Sequence, residues 1–399
     1  VFPFPLDRGQ RVRVSHLLTA CSRAFDVTLV APRPAPDVDR ATVEVKCAQA
    51  VYYERTPRTL AANLWSAASA ARSVPGFFRP VSYWKSLPVV ETLARYRPTD
   101  FDLVWAERLH MARFCVNAGA RTIVDIDDLE HLKMAGYLKV NRDWKAYARL
   151  AYPYLLYRHH ELGVSRRFLA SVVCSETDRE YLERAGSRNV VVVPNGPNAA
   201  RSGRWDDTRP AGKRDPLSPL RIVFLGNMAA EPNEDAIDYF VGEVLPLLRN
   251  KVPTTFDVIG SGVASAVAAR HGSQVTFRGY VEDLGTALAE YDVLAAPIRF
   301  GAGTKLKILD AMVHGLPVVT TAIGAEGLRL DDGVNVLLAE TSMGFAQAIL
   351  RIKRDPGFAE GLAQRAFAHV RNHFSWETIE DRLVERLLAF AASRITVDA

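Results

Sequence analysis

The chain has 399 residues, 48% hydrophobic and 24% charged, with a net charge of +5. That balance excludes a disordered, collagen-like or coiled-coil chain, and the length suits two or three domains. No apolar run reaches the ~18 residues of a membrane-spanning helix. The start, Val1-Phe2-Pro3-Phe4-Pro5, has neither the charged region nor the small-residue cleavage site of a secretory leader.

Charge is unevenly placed. Residues 1–215 hold 33 Lys+Arg against 23 Asp+Glu, and residues 216–399 hold 17 against 22. The first half therefore suits an acidic partner such as nucleic acid, anionic lipid or a phosphorylated substrate, or is simply a solvated basic surface. Cys21, Cys47, Cys115 and Cys174 are far apart and form no CxxC. They read as small core residues in a reducing compartment, not as a disulfide framework or zinc site.

In chain order, Pro5-Leu6-Asp7-Arg8-Gly9-Gln10-Arg11 reads as a turn between a short strand at Val1–Phe4 and a helix near Val12–Ala24. Gly9, Gln10 and Arg11 are candidate ligand contacts there. Apolar, β-branched runs predict strands at Phe25–Ala31, Asp102–Trp105, Thr122–Asp125, Ala170–Ser175 and Val190–Pro194, with helices between. That alternation indicates a parallel α/β sheet. Glu107 follows one strand, and Asp125-Ile126-Asp127-Asp128 follows the next directly. Carboxylates at a strand edge bind acceptor hydroxyls, act as a base or hold a metal. The last is weakest, because His131 has no evident companion ligands. Tyr137–Phe168 mixes Trp144, Tyr147, Tyr152, Tyr154 and Tyr157 with Arg and Lys. The pattern suits an anionic membrane surface, or a packed helix with a wet basic face.

Residues 201–219 are rich in Pro, Gly and charge and read as a linker. It separates domains at 1–200 and 220–373, and 374–399 forms a terminal helix expected to pack back towards the first domain. In the second domain, strands are predicted at Arg221–Leu225, Thr255–Ile259, Val275–Phe277, Val293–Ala296 and Val318–Thr320. The last helix, Trp376–Ala392, sets Ile379, Leu383, Leu387 and Leu388 on one apolar face.

The densest motif is PIRFGAGTKLKILDAMVHGLP, Pro297–Pro317. A glycine turn, Gly301-Ala302-Gly303, leads into a helix near Thr304. Such a turn presents backbone N–H groups and the positive helix end to an anion. Lys305 and Lys307 add charge, although residues two apart on a helix point about 200° apart. Asp310 is placed to accept hydrogen bonds from a hydroxylated ligand such as ribose. The bland reading is an ordinary turn with surface lysines. Gly226-Asn227-Met228 and Glu231–Ala236 mark the first strand-to-helix crossing, where Gly226 admits a ligand to the backbone and Asn233 either caps the helix or touches the ligand. Gly260-Ser261-Gly262 is the start of a dinucleotide fingerprint whose third glycine is Ser265, so it permits a nucleobase without establishing NAD. There is no P-loop, GxSxG or HExxH, and no nucleic-acid module matches.

Together these motifs resemble the retaining family-4 glycosyltransferases of GT-B fold, in particular bacterial exopolysaccharide-type sugar transferases. PFPLDRGQRVR (Pro3–Arg13), VDIDDLEHLK (Val124–Lys133), VVPNG (Val192–Gly196), GNMAAEPNEDA (Gly226–Ala236), FRGYVEDL (Phe277–Leu284) and GAGTKLKILDAMVHGLPVV (Gly301–Val319) carry the resemblance in order. It implies an α/β architecture of two doubly wound Rossmann-like domains with an interdomain cleft. A nucleoside-diphosphate sugar would bind the second domain and a hydroxyl acceptor the first. Asp310 matches the ribose-binding acid. Lys305 and Lys307 would lie by the diphosphate, Gly303 and Thr304 would offer backbone contacts, and Tyr280 and Val281 would flank the base. Gly9 would close over the donor phosphates, and Asp128, beside Asp127, matches the acidic position on the acceptor side. Three departures stand out. Ala302 replaces the first of two acids spaced as in many relatives, so the donor sugar is open. Asn227 and Pro232 stand where relatives carry Arg and Lys. Asp127-Asp128 occupies the place of a common histidine.

The implied activity is metal-independent glycosyl transfer with retention of configuration, needing no cofactor. The alternatives are a nucleotide-sugar epimerase on the same fold and a non-catalytic binding scaffold. The expected acceptor is lipid-linked or a growing glycan, with no nucleic-acid partner. The expected place is the cytoplasm, at the inner membrane face if the basic first domain touches lipid.

Overall fold

A computed structural model describes residues 9–34, 40–54, 87–140, 144–198, 218–263, 265–301 and 303–395. The expected strand Val1–Phe4, Ala302 and the expected linker up to residue 217 lie outside them. The chain divides into two compact units, one of residues 1–132, 143–194 and 376–399, the other of 133–142 and 195–375.

The first unit contains a parallel pair, β1 (Thr28–Pro32) and β2 (Gln49–Tyr53), and a parallel four-stranded sheet in the order β3 (Val104–Glu107), β4 (Thr122–Asp127), β5 (Ala170–Val173), β6 (Val190–Val192). Every residue of β4 and β5 is buried, as strands covered on both faces by helices require. Strand β1 starts three residues later than expected because the Phe25 amide still donates to Cys21 O at 2.9 Å, prolonging the preceding helix. The predicted strand Asp102–Trp105 shifts to Val104–Glu107, where it pairs with Thr122–Asp125. Strand β2 was not legible, since no residue of QAVYY is buried outright and it pairs only with β1. All four cysteines are free thiols.

The first helix runs Gly9–Ala24, three residues longer at its start than expected. Gly9, Gln10 and Arg11 therefore sit within its first turn, half-buried, and not in a turn ahead of it. Arg13, one turn on, is buried. Its guanidinium grips Asp125 of β4 through Nε (3.0 Å) and Nη2 (2.9 Å), and Nη1 donates to the Val193 carbonyl at 2.8 Å. One side chain thus ties the helix to the exits of β4 and β6. The same helix packs on Trp376–Ile395. His16 stacks on Trp376 at 4.2 Å, and Arg23 donates to Asp381 at 2.6 Å. Ile379, Leu383 and Leu387 are buried along that helix as expected; Leu388, one position round, is 49% exposed.

The second unit is a six-stranded parallel sheet: β7 (Leu220–Leu225), β8 (Thr254–Ile259), β9 (Thr276–Gly279), β10 (Val293–Ala296), β11 (Val318–Thr320) and β12 (Leu337–Leu338), in the spatial order β12-β11-β10-β7-β8-β9. The two-residue β12 is too short for a periodic signal. Its core is a single apolar cluster in which Phe240 and Phe256 meet at 4.4 Å. Connections run outward from β7 to β9, then return to β10 on the other side of β7. The switch point lies between β7 and β10, and a crevice outside the carboxyl ends of those strands is where open α/β sheets bind ligands.

Arg13→Ala would leave Asp125 buried without its partner. We expect a loss of about 3–5 kcal/mol in urea unfolding of the first unit, largely recovered by Arg13→Met combined with Asp125→Leu. An unchanged midpoint for Arg13→Ala would show that the pair does not hold these elements together.

Candidate functional site

At the carboxyl end of β7 the backbone reaches an unusually close approach. A β-carbon on Gly260 would lie 1.8 Å from Gly226 O and 2.7 Å from its carbonyl carbon, and Gly260 has φ +142°. Only glycine fits there. The Gly226 amide donates to Ile259 O at 3.0 Å and Met228 N to Ser261 O at 2.8 Å, so the β7 and β8 loops advance together. A β-carbon on Gly226 would meet the side-chain ends of Asn233 (Nδ2 at 2.7 Å) and Lys307 (Nζ at 3.1 Å), which would have to give way to it.

Asn233 does not cap its helix. The helix spans Glu231–Tyr239 with Ala230 as N-cap, so Asn233 lies inside its first turn. Its amide instead donates to Asn227 O at 2.7 Å, while its Oδ1 accepts from Lys307 Nζ at 2.5 Å. Asn227 Oδ1 accepts from Ala229 N at 3.0 Å and fixes the loop. Lys307 Nζ also sits 4.1 Å from the centre of the buried Phe224 ring. Burial, together with the neighbouring Lys305 charge, pushes the Lys307 ammonium down to about 7. Asp310 lies one turn along the same helix, Leu306–Val313, on the same face. Its Oδ1 accepts from the Asn198 amide at 2.7 Å, yet burial raises its carboxyl to about 7.

The glycine turn is where it was expected, with Gly301 and Gly303 at φ 110° and 84°. Lys305 takes a different role from Lys307. Its Nζ folds back to donate to Gly303 O (2.7 Å) and Gly301 O (3.1 Å). The two lysines therefore do not share a target: Lys307 stands over Gly226, and Lys305 braces the turn. Arg299 pairs with Asp235 and stacks on Tyr239 at 4.9 Å, holding the strand end to the facing helix. Thr304 is half-buried beside this turn. Tyr280 and Val281 follow β9, with Tyr280 54% exposed and Val281 packed against the core. The structure thus brings Gly226, Asn227, Gly260, Lys307 and, one turn on, Asp310 to one sheet edge. Ala302 lies outside the described residues.

The first unit carries a second polar cluster at the carboxyl ends of β3 and β4. Arg108 and Asp127 both adopt positive φ, 73° and 65°, which costs energy for residues with a side chain. They pair with each other at 2.9 Å. Burial and the adjacent Asp128 charge raise the Asp127 carboxyl, against the pull of Arg13 and Arg108. Glu107 has Oε1 buried without a hydrogen-bond partner, and burial with the Asp125 charge raises its carboxyl to about 8. Asp128 is half-buried and accepts from the Cys174 thiol at 2.8 Å. Asp127, Asp128 and Cys174 bring three donor atoms within 4.8 Å of one another. Burial and the Asp128 charge raise the Cys174 thiol well above its ordinary range, and it donates its proton to Asp128. His131 is not solitary either. It is buried against Glu161, and its Nε2 lies 2.9 Å from Tyr181 OH. Glu161 also accepts the Glu130 amide at 2.8 Å, capping the following helix from 31 residues away. A cap so distant in sequence left no local signal.

Residues 219–355 match the family model described as glycosyl transferases group 1. The segment that builds the glycine cradle is therefore similar to the glycosyl transferases group 1. Among curated proteins, a glycogen synthase of Mycobacterium tuberculosis is 27% identical over 216 residues, covering 51% of this chain and 49% of that protein. The chain spans about half the length of the curated relatives it matches. Among solved structures, sucrose-phosphate synthase of Thermosynechococcus elongatus superposes with a TM-score of 0.70 at 17% identity, covering 97% of this chain and 94% of that one. HepE of Anabaena, solved in complex with UDP, gives 0.63 at 16% identity and covers 96% of each chain. The fold is α/β with parallel sheets, of the GT-B type. None of the described helices is long and apolar enough to cross a membrane.

The two shifted groups set opposite pH slopes. Between about 7 and 10.5 the unfolded chain keeps a proton that folded Lys307 has lost, so stability rises with pH. Between 3.8 and about 7 folded Asp310 holds the extra proton, so its contribution falls as pH rises. Thermal midpoints across pH 4–10 should lose the upper slope in Lys307→Met and the lower one in Asp310→Asn. Profiles that match the wild type would show that neither group is shifted by folding.

Proposed function

We propose that the chain transfers a glycosyl group from a nucleoside-diphosphate sugar to a hydroxyl acceptor, retaining the anomeric configuration and using no metal or other cofactor. The carrying observation is the Gly226–Gly260 cradle beneath the Lys307 ammonium, at the switch point of a segment similar to the glycosyl transferases group 1. Glycines there admit a diphosphate to the backbone, and the N-terminus of Leu306–Val313 adds its dipole. Negative charge grows on the diphosphate as the sugar–phosphate bond breaks. Lys307 is already fixed over that position, by Asn233 and the Phe224 ring, and stabilises the charge without reorganising. Lys305 keeps the glycine turn shaped, Gly303 and Thr304 offer it to the sugar phosphate, and Tyr280 and Val281 border the base. Asp310 takes a ribose hydroxyl. Asp128 orients the acceptor hydroxyl, with Asp127, Glu107 and Arg108 fixing the turn that carries it. HepE in complex with UDP supports a nucleoside diphosphate as the leaving group.

The acceptor reading is a lipid-linked or growing glycan at the inner face of a membrane. The helix Trp144–Gly163 supports it. Trp144, Tyr152 and Leu155 are 72%, 70% and 63% exposed, with Lys145 and Arg158 exposed among them. The one acid in that helix, Glu161, is buried. Aromatic and basic side chains without acids suit an anionic lipid surface.

A panel of UDP, GDP, ADP and dTDP with their sugars tests the donor reading. The matching nucleotide at 100 times its Kd should stabilise the protein by about 2.7 kcal/mol. Its affinity should fall above pH about 7, by up to about tenfold per unit, as Lys307 loses its proton. Lys307→Ala should lower turnover by about 100-fold or more, and Lys307→Arg should flatten the pH profile. If no nucleotide shifts the midpoint, the donor reading fails. Sedimentation with vesicles tests the membrane reading: binding to phosphatidylglycerol-containing but not neutral vesicles, reduced in Trp144→Ala/Leu155→Ser, is expected. Equal recovery in the supernatant with both vesicle types would remove it.

A further inference from the structure

The segment Pro194-Asn195-Gly196-Pro197-Asn198 ends against the carboxylate already placed in the candidate site. Asn198 N donates to Asp310 Oδ1 at 2.7 Å. That contact takes up one carboxylate oxygen. Asp310 is also one methylene shorter than a glutamate at the same place, so it reaches less far from its helix. On the neighbouring partner, Asn198 Oδ1 is buried without a hydrogen-bond partner. A buried carbonyl oxygen left unpaired is costly and rare. Two oxygen acceptors therefore stand on adjoining residues, the second Asp310 oxygen and Asn198 Oδ1, and both call for hydroxyl donors.

A vicinal diol supplies two such donors at neighbouring carbons. We infer that Asn198 is a specificity-determining residue, which accepts one hydroxyl of a ribose while Asp310 accepts the other. This rests on the donor-site reading and deepens it. The site would take ribonucleoside diphosphates and reject deoxyribose ones, because the analogue lacking a hydroxyl leaves a buried oxygen unpaired. The Asn198 backbone amide, which holds Asp310 in place, is untouched by any side-chain change at 198. Selection and positioning are thus separable in one residue.

The experiment compares UDP, 2′-deoxy-UDP and 3′-deoxy-UDP by calorimetry, with GDP, ADP and their deoxy forms alongside, on wild type, Asn198→Ala and Asn198→Asp. In the wild type, removing either hydroxyl should weaken binding about tenfold or more, near the 1.4 kcal/mol that a tenfold change represents. Asn198→Ala should bind the parent diphosphate about tenfold more weakly and lose discrimination against one deoxy analogue while keeping it against the other. Asn198→Asp keeps an acceptor and should keep both ratios. Wild type that binds UDP, GDP or ADP but discriminates against neither deoxy form overturns the inference. So does an Asn198→Ala protein that binds with both ratios unchanged. Either result leaves the donor site standing. Wild type that binds no nucleotide overturns the donor reading and this inference together. Because the deoxy analogues are tested on the wild type, the inference does not depend on the variant folding.

Discussion

The carbonyl of Gly226 and the α-carbon of Gly260 stand so close that a single methyl group cannot be placed between them. Much of the second unit's candidate site depends on this contact. It sets the β7 and β8 loops at one height and leaves a floor of bare backbone at the sheet's switch point. Asn233 and Lys307 can then stand over that floor without meeting a side chain from below. The strands beneath are held by an apolar core in which Phe224 serves twice. Its ring is buried among the sheet's aromatics and helices, and its face carries the Lys307 ammonium. A cation over an aromatic ring is attracted by the ring quadrupole, which helps hold a charge in a place that otherwise disfavours it.

The first unit solves a different problem. Four carboxylates, Glu107, Asp125, Asp127 and Asp128, crowd the ends of two adjacent strands. Arg13 and Arg108 supply two positive charges, and Arg13 is buried with Asp125 in a bidentate pair. Buried acids in excess of their cations cannot all remain ionised, and burial with the Asp125 charge pushes Glu107, whose Oε1 has no hydrogen-bond partner, towards neutrality. The β4 bulge between Asp125 and Asp127, with Asp127 N donating to Asp125 Oδ1 at 3.1 Å, turns the chain so that Asp128 emerges half-buried and not as another core group. The polar network thus orients one carboxylate by fixing the others.

The strands of the buried sheets were legible because short β-branched runs such as TIVD and RIVFL suit a sheet covered on both faces and are too short for a helix. The glycine turn and the Asp310 helix were legible for a similar reason, since glycine and apolar periodicity mark them locally. Contacts between distant segments were not. Asn233 carried a capping signal, and its true partner, Lys307, lies 74 residues away. Glu161 caps a helix that begins 31 residues before it. Asn198 reaches Asp310 across 112 residues. In each case a polar side chain or amide satisfies a partner brought near only by tertiary packing, and no window of sequence holds both. Strand ends fail for a lesser reason. In β2 no residue is buried outright, so burial leaves no alternation to read.

Lysine at 307 has a physical consequence that arginine would not. A guanidinium keeps its charge at any pH the fold survives, so an empty site would hold a desolvated, uncompensated cation. Lysine titrates. With burial pushing its ammonium down to about 7, the folded state can shed part of the burden of an unpaired buried charge. In the proposed reaction an arriving diphosphate would reverse the balance. Its own negative charge would favour the ammonium, the lysine would take up a proton, and full positive charge would appear only when there is something to oppose it. In the proposed reaction the same logic continues along the coordinate. The leaving group gains negative charge as the bond breaks, and the ammonium is held tightest at that stage. A group that binds its ligand weakly at first and the departing anion strongly contributes to rate more than to substrate affinity. The depressed lysine, the glycine floor and the asparagine bridge are parts of one electrostatic arrangement, and removing the neutral option at 307 would alter the empty fold before it altered the chemistry.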